Sequence, residues 1–283
     1  MEAEALSRCR PRALIATLRG MPMGRVRKVH VFPSAEVTRR SEREGDPRDV
    51  GLTPADVEAM WGSVVRFYRS GLQPSMALCV RHRGQVVLDR AIGHTHGNTC
   101  EGVDSAKLVQ ATPDSLYNLF SASKVVVSML VHLANERGLL HLDDAVAEYI
   151  PEFAQHGKGH ITMRHILTHR AGIPGVPNGS VNLDSLVDND EMLRRMCEAK
   201  PQTRAGRRLA YHAVTGGFVM AEVLKRVTGK DLRQLVDEEI RQPLGFEGFT
   251  YGVAPESYER VAPNVFTGPD PNKTYEYFLE RSF

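Results

Sequence analysis

Ser121 and Lys124 stand three positions apart in the run "NLFSASKVVVSML", residues 118–130, where a β-leaning stretch gives way to one that leans to helix. A serine hydroxyl is a weak nucleophile at neutral pH and needs a base within hydrogen-bond reach, and a spacing of three on a helix puts lysine on the serine's own face. At a helix start, backbone N–H groups and the positive dipole end steady negative charge developing beside Ser121 and disfavour a protonated lysine. Burial among Val125, Val126 and Val127 would lower the Lys124 pKa and leave more of the amine neutral. Taken alone, S-x-x-K describes equally a serine cap and a snorkelling lysine. Ser123 lies in the same run, but next to Lys124 it points off the lysine's face, so Ser121 is the preferred nucleophile.

The elements around this pair follow from patterning. "LTPADVEAMWGSVVRFYRSG" predicts a helix capped by Thr53 with Pro54 in its first turn, Val57, Met60, Trp61, Val64, Val65 and Tyr68 on one face, and Gly71 as the stop. "SMALCVRHRGQVVLDRAIG" predicts a hairpin about Arg83-Gly84. "SLYNLF" is a short strand or extended approach to Ser121. From Lys124 to Arg137 the apolar residues fill more than one helix face, so this helix is expected to be largely buried, with Gly138 ending it. Further helices are expected at 161–170, 184–199, 214–228 and 231–241, separated by loops such as "AGIPGVPNGS". Strands first and a block of helices afterwards indicate an α+β fold.

Several segments together resemble the serine β-lactamase and penicillin-binding-protein superfamily, especially its class C-like esterase branch, the family VIII carboxylesterases. "LFSASKVVVSMLVHLANERGLLHLDDAVAEYIPEF" is similar to that family's nucleophile helix and the stretch behind it. "ITMRHILTHRAGIP" is similar to its histidine-rich segment, and "RLAYHAVTGGFVMAEVLKRVTGKDLRQLVDEEIRQPLGF" to its second-motif region. The resemblance covers roughly residues 52–255 and implies a β-lactamase/transpeptidase-like fold, an antiparallel sheet flanked by a helical region. It implies an acyl-enzyme on Ser121, with Lys124 and Tyr211 as the base pair and Tyr211 relaying the serine proton to the leaving group, its own pKa lowered by the lysine.

Where that branch carries Y-x-N, this chain reads Tyr211-His212-Ala213. In the family's lactamases the asparagine contacts the acylamide of the antibiotic, so Ala213 turns the reading toward carboxylic esters. A D-amino-acid peptidase or lactamase is the alternative among enzymes. The family's third element, a K-T-G, H-x-G or W-x-G triplet after the tyrosine, is not found: "NKTY" at 272–275 lacks the glycine, and "GHTHG" at 93–97 precedes the nucleophile. The chain is therefore expected to be a fragment cut short of its C-terminal strands, short of one oxyanion donor, or else an impaired homologue that binds ligands or a partner through the old cleft.

Other signals exclude more than they suggest. His165 and His169 have the i, i+4 spacing of a metal pair but no H-E-x-x-H glutamate and no third ligand, so they are expected to be hydrogen-bonded structural histidines. No G-x-S-x-G, G-x-G-x-x-G or P-loop occurs, and neither metal nor cofactor is expected. The four cysteines lack metal or disulfide spacing and read as reduced thiols. A net charge of +2 with 25% charged residues and 42% apolar residues fits a domain with a sizeable core and no nucleic-acid partner. No apolar run is long enough to span a membrane, and "ALIATL" is too short for a signal-peptide core, which favours the cytoplasm. Residues 1–50, arginine-rich with interleaved acids as in "RRSEREGDPRD", are expected to form a poorly ordered leader before a domain at 51–283. The expected partner is a small ester or amide substrate, and oligomeric state is left open.

Overall fold

The computed structural model describes residues 26–176 and 186–269. The chain divides into two compact units, residues 1–118 with 257–283, and residues 119–256.

In the first unit, a three-residue strand β1 (Thr38–Arg40) and strand β2 (Ser75–His82) flank the long β3 (Gln85–His96), all antiparallel, and β4 (Val109–Gln110) pairs with the far end of β3. The β2–β3 connection is the expected two-residue turn, with Arg83 at φ 49° and Gly84 at φ 84°. Positive φ at both positions matches the right-handed twist of the paired strands. Helix α1 (Pro54–Tyr68) begins with the predicted Thr53 cap, reinforced by a reciprocal bond from the Thr53 N–H to the Asp56 carboxylate. It buries Val57, Trp61 and Tyr68 in a cluster with Val87, Leu88 and Ile92 of β3. Gly93 must be glycine: at φ 93°, a Cβ there would lie 2.1 Å from the Pro74 carbonyl oxygen.

Residues 26–50 correct the expected leader. Val29, Val37 and Val50 are buried, and β1 pairs with β3 from Thr38 to Arg40. The charges that hid this segment are used inside the unit. Arg43 pairs with Asp89 at 2.8 Å, and Glu44, whose side chain is 1% exposed, takes Arg90 at 2.8 Å and Arg40 at 2.6 Å. A stretch without apolar period can thus still be ordered when buried ions of a neighbouring strand need its charges. Residues 1–25 lie outside the described residues, as does "NKTY".

The second unit is helical: α2 (Lys124–Glu136), α3 (Met163–Leu167), α4 (Asn189–Glu198), α5 (Thr215–Thr228) and α6 (Leu232–Val236). Its core collects Val127, Leu130 and Val131 of α2, Met163 and Ile166 of α3, Met192 and Met196 of α4, and Val219 and Val223 of α5. Three helices are shorter than expected. The one expected at 161–170 is confined to α3, because His169 adopts φ 57° and turns the chain out of the helix. Helix α4 starts at an Asp188 cap, and residues 184 and 185 lie outside the described residues. After α6, residues Asp237–Arg241 widen into a π turn directly before Gln242–Leu244, where Pro243 has no N–H to continue the ladder. Among the described residues no helix is long and apolar enough to cross a membrane.

Candidate active site

The chain reaches the serine through a 3-10 turn, Phe120–Ser123, whose first residue sits at φ 45°, and α2 follows directly. Leu116 forms an isolated bridge to Val261, so "SLYNLF" is an extended approach rather than a strand of a sheet. Ser121 is exposed and Lys124 half-buried, with Lys124 Nζ donating to Ser121 Oγ at 3.2 Å. The nucleophile helix is less enclosed than expected: Val126 and Val127 are buried, but Val125 is 63% exposed and Met129 54%. These two continue one helical stripe away from Ser121 at intervals of four residues. Ser123 is spent on structure, since its hydroxyl donates to the Phe120 carbonyl at 2.6 Å and its carbonyl accepts from the Tyr251 hydroxyl at 2.8 Å. Of the two serines, Ser121 is the one left beside the lysine.

Tyr211 arrives from 90 positions along the chain. Its pKa is held below the ordinary tyrosine value of 10.0 by the neighbouring Ser121 hydroxyl and Lys124 amine. The Lys124 ammonium also lies 5.4 Å from the centre of the tyrosine ring. The structure therefore brings Ser121, Lys124 and Tyr211 together in one place.

Two histidines hold that tyrosine. The Ala210 N–H donates to the His169 carbonyl at 3.0 Å and the His212 N–H to His169 Nδ1 at 3.2 Å, bracketing Tyr211 between two bonds to one residue. The His169 ring meets the Tyr211 ring edge-on at 4.9 Å. His212 is fully buried, and both its ring nitrogens are used: Nε2 accepts from the Ile173 N–H at 3.1 Å and Nδ1 lies 2.6 Å from the Ala210 carbonyl. That pattern fixes the neutral tautomer carrying its proton on Nδ1. Burial lowers the pKa of His212, of His169 and of His165. Gly172 closes the same loop at φ 79°, where a Cβ would lie 2.1 Å from the Thr203 carbonyl oxygen.

His165 and His169 are thus structural histidines: His165 Nδ1 accepts from the Thr162 N–H at 3.1 Å in the cap of α3, and His169 braces the tyrosine. Sequence patterning does not reveal that His212 and Tyr251 serve the site. A histidine between Tyr211 and Ala213 is the available signal for the first; nothing local marks the second.

Comparison with known proteins gives the family. Residues 64–275 match the family profile described as Beta-lactamase. The chain is similar to Esterase/beta-lactamase LipL of Mycobacterium tuberculosis, 36% identical over 187 residues, which span 66% of this chain and 41% of that protein. Among solved structures it resembles a penicillin-binding protein homolog from Caulobacter crescentus, at 29% identity and TM-score 0.66, covering 75% of this chain and 54% of the other. It also resembles a family VIII carboxylesterase, at 28% identity and TM-score 0.65, covering 75% and 56%. The chain spans about half the length of the relatives it matches.

Proposed function

Because the chain belongs to the beta-lactamase family and has its fold, an antiparallel sheet with a helical region, we propose that it is a serine hydrolase cleaving carboxylic esters through an acyl-enzyme on Ser121. The observation that carries this reading is the contact of Lys124 Nζ with Ser121 Oγ at 3.2 Å, with the centre of the Tyr211 ring 5.4 Å from the same Nζ. In the proposed reaction the Lys124 and Tyr211 pair takes the Ser121 proton as Oγ attacks the ester carbonyl. Tyr211 then hands the proton to the departing alkoxide, leaving an acyl group on Ser121 for water to remove. The Ser121 N–H supplies one oxyanion donor. A second is expected from the family's third motif, and without it turnover should fall by about 10²- to 10³-fold.

Stoichiometric labelling is therefore the first test. Exposure to an aryl fluorophosphonate should add one adduct to the intact mass, and Ser121→Ala should remove it along with hydrolysis of short-chain aryl esters. Labelling that persists in Ser121→Ala, or a folded protein that takes no label, would defeat the assignment.

The rival within the family is a D-amino-acid peptidase or lactamase, a reading to which the likeness to a penicillin-binding protein homolog lends weight. Ala213 counts against it, because it is exposed and carries no amide to meet an acylamide. Formation of a penicillin adduct on Ser121 faster than turnover of aryl esters would reverse the preference.

A further inference from the structure

A cavity of about 310 Å³ in the second unit is walled on one side by His156 and His160 and on the other by Gln202, Thr203 and Arg204, with the buried Ile161 among its lining residues. Its volume lies at the small end of ligand pockets. The walls are fastened to one another by a buried cation. Lys158 sits between the two histidines in sequence with no exposed surface, and its Nζ donates to Gln155 O at 3.0 Å, Cys197 O at 2.6 Å and Ala199 O at 2.7 Å. Three carbonyls match the three N–H groups of an ammonium, so the clamp joins the 155–160 loop to the chain just before residue 200. No carboxylate pairs with Lys158 among the described residues, and a positive charge behind the wall is screened less than one in water.

The surroundings have the same sign. Residues 199–210, "AKPQTRAGRRLA", carry four Lys or Arg and no Asp or Glu. The carboxylates of the neighbouring segments are engaged elsewhere: Glu152 with Arg226, Glu198 with Arg194, and Asp143 with Arg164. Among the described residues the side chains of His156, His160 and Arg204 have no hydrogen-bond or ion-pair partner. These three side chains are exposed at the rim of the cavity, so two imidazoles and a guanidinium fork stand free to meet an anion that enters it.

We propose that this cavity binds a small anion bearing a phosphate or carboxylate group, with Arg204 as the bidentate contact and His156, His160 and Thr203 completing the shell. The test is calorimetric titration of the full chain with inorganic phosphate, phenyl phosphate and malonate. At least one should bind saturably with a Kd below about 10 mM. Arg204→Gln should weaken it about 10-fold, the loss of one charge-assisted pair, Arg204→Lys about 3-fold and His160→Gln about 3-fold. Arg208→Gln makes the same charge change outside the cavity and should move the Kd less than 2-fold.

Tighter binding of phenyl phosphate than of phosphate would identify an organic ligand, and the reverse order free phosphate; both support the site. Absence of saturable binding, or equal losses in Arg204→Gln and Arg208→Gln, would overturn it, the second by showing only a diffuse positive field. Circular dichroism of each variant checks the fold, and His160→Gln keeps the proposal falsifiable if Arg204→Gln fails to fold.

Discussion

Lys124 and Lys158 lie in the same unit, and they are used in opposite ways. Lys158 has no exposed surface, and each of its three protons meets a backbone carbonyl. Lys124 is half-buried, faces a serine hydroxyl at 3.2 Å and a tyrosine hydroxyl, and abuts an exposed stretch of helix. A fully satisfied ammonium is a fastener, since taking a proton from it would break bonds that hold two loops. Chemistry needs a lysine whose neighbours are hydroxyls, groups that can exchange protons with it. Their difference is one of donor accounting, legible only once the acceptors are placed.

The comparison is most exposed to failure at Lys124. Lys124→Met should slow fluorophosphonate labelling of Ser121 by about 10³-fold and shift folding stability by no more than about 0.5 kcal/mol. Lys158→Met should do the reverse. Three carbonyls, two of them on buried residues, lose their donor, so denaturant titration should show a loss of about 3 kcal/mol, while labelling of the molecules still folded stays within a few-fold. If both variants lose stability alike, the distinction between the two lysines falls.

Next in size is Tyr211→Phe, which should slow labelling by about 10²-fold as the proton relay is lost. With Tyr211 present, the labelling rate should climb with pH to a midpoint below 10.0, because Ser121 and Lys124 favour the phenolate. The phenylalanine variant should lack that limb. A pH profile unchanged by Tyr211→Phe would assign the titrating group elsewhere.

Much of this site is legible without coordinates. The S-x-x-K run, the tyrosine of the second motif and the absence of asparagine at position 213 are local features. The cap at Thr53, the turn at Arg83-Gly84 and the end of α5 are legible for the same reason: a few adjacent residues decide them. The features that escape the sequence are decided at long range. Arg43 and Glu44 look like solvated charges until Asp89 and Arg90 arrive from β3 to pair with them. The expected helix at 161–170 stops early because the His169 carbonyl and ring are committed to Ala210, Tyr211 and His212, some forty positions away. Helical propensity in "RHILTH" could not report that tertiary claim. Likewise the apolar neighbours of Val125 suggest burial, and only the packing shows that the stripe it shares with Met129 is exposed.

The smallest expected effect extends the contrast to the histidines. His212 resembles Lys158 in having its capacity used up, one ring nitrogen as donor and the other as acceptor. Protonating it would turn Nε2 into a donor facing the Ile173 N–H. Burial accordingly lowers its pKa in the folded chain from the 6.5 of an unperturbed histidine, and does the same for His169 and His165. Below pH 6.5 the unfolded chain therefore binds protons that the folded chain refuses. Stability is fully present above that value and declines as pH falls through it toward the lower folded values. Urea titrations at pH 7.5 and 5.5 should show the decline, in a window above the range where carboxylates titrate. His212→Gln should cost about 1–2 kcal/mol at pH 7.5 through the unpaired backbone groups it leaves, and should make the decline shallower. An undiminished decline in that variant would mean that His212 does not hold the tyrosine loop through a neutral ring.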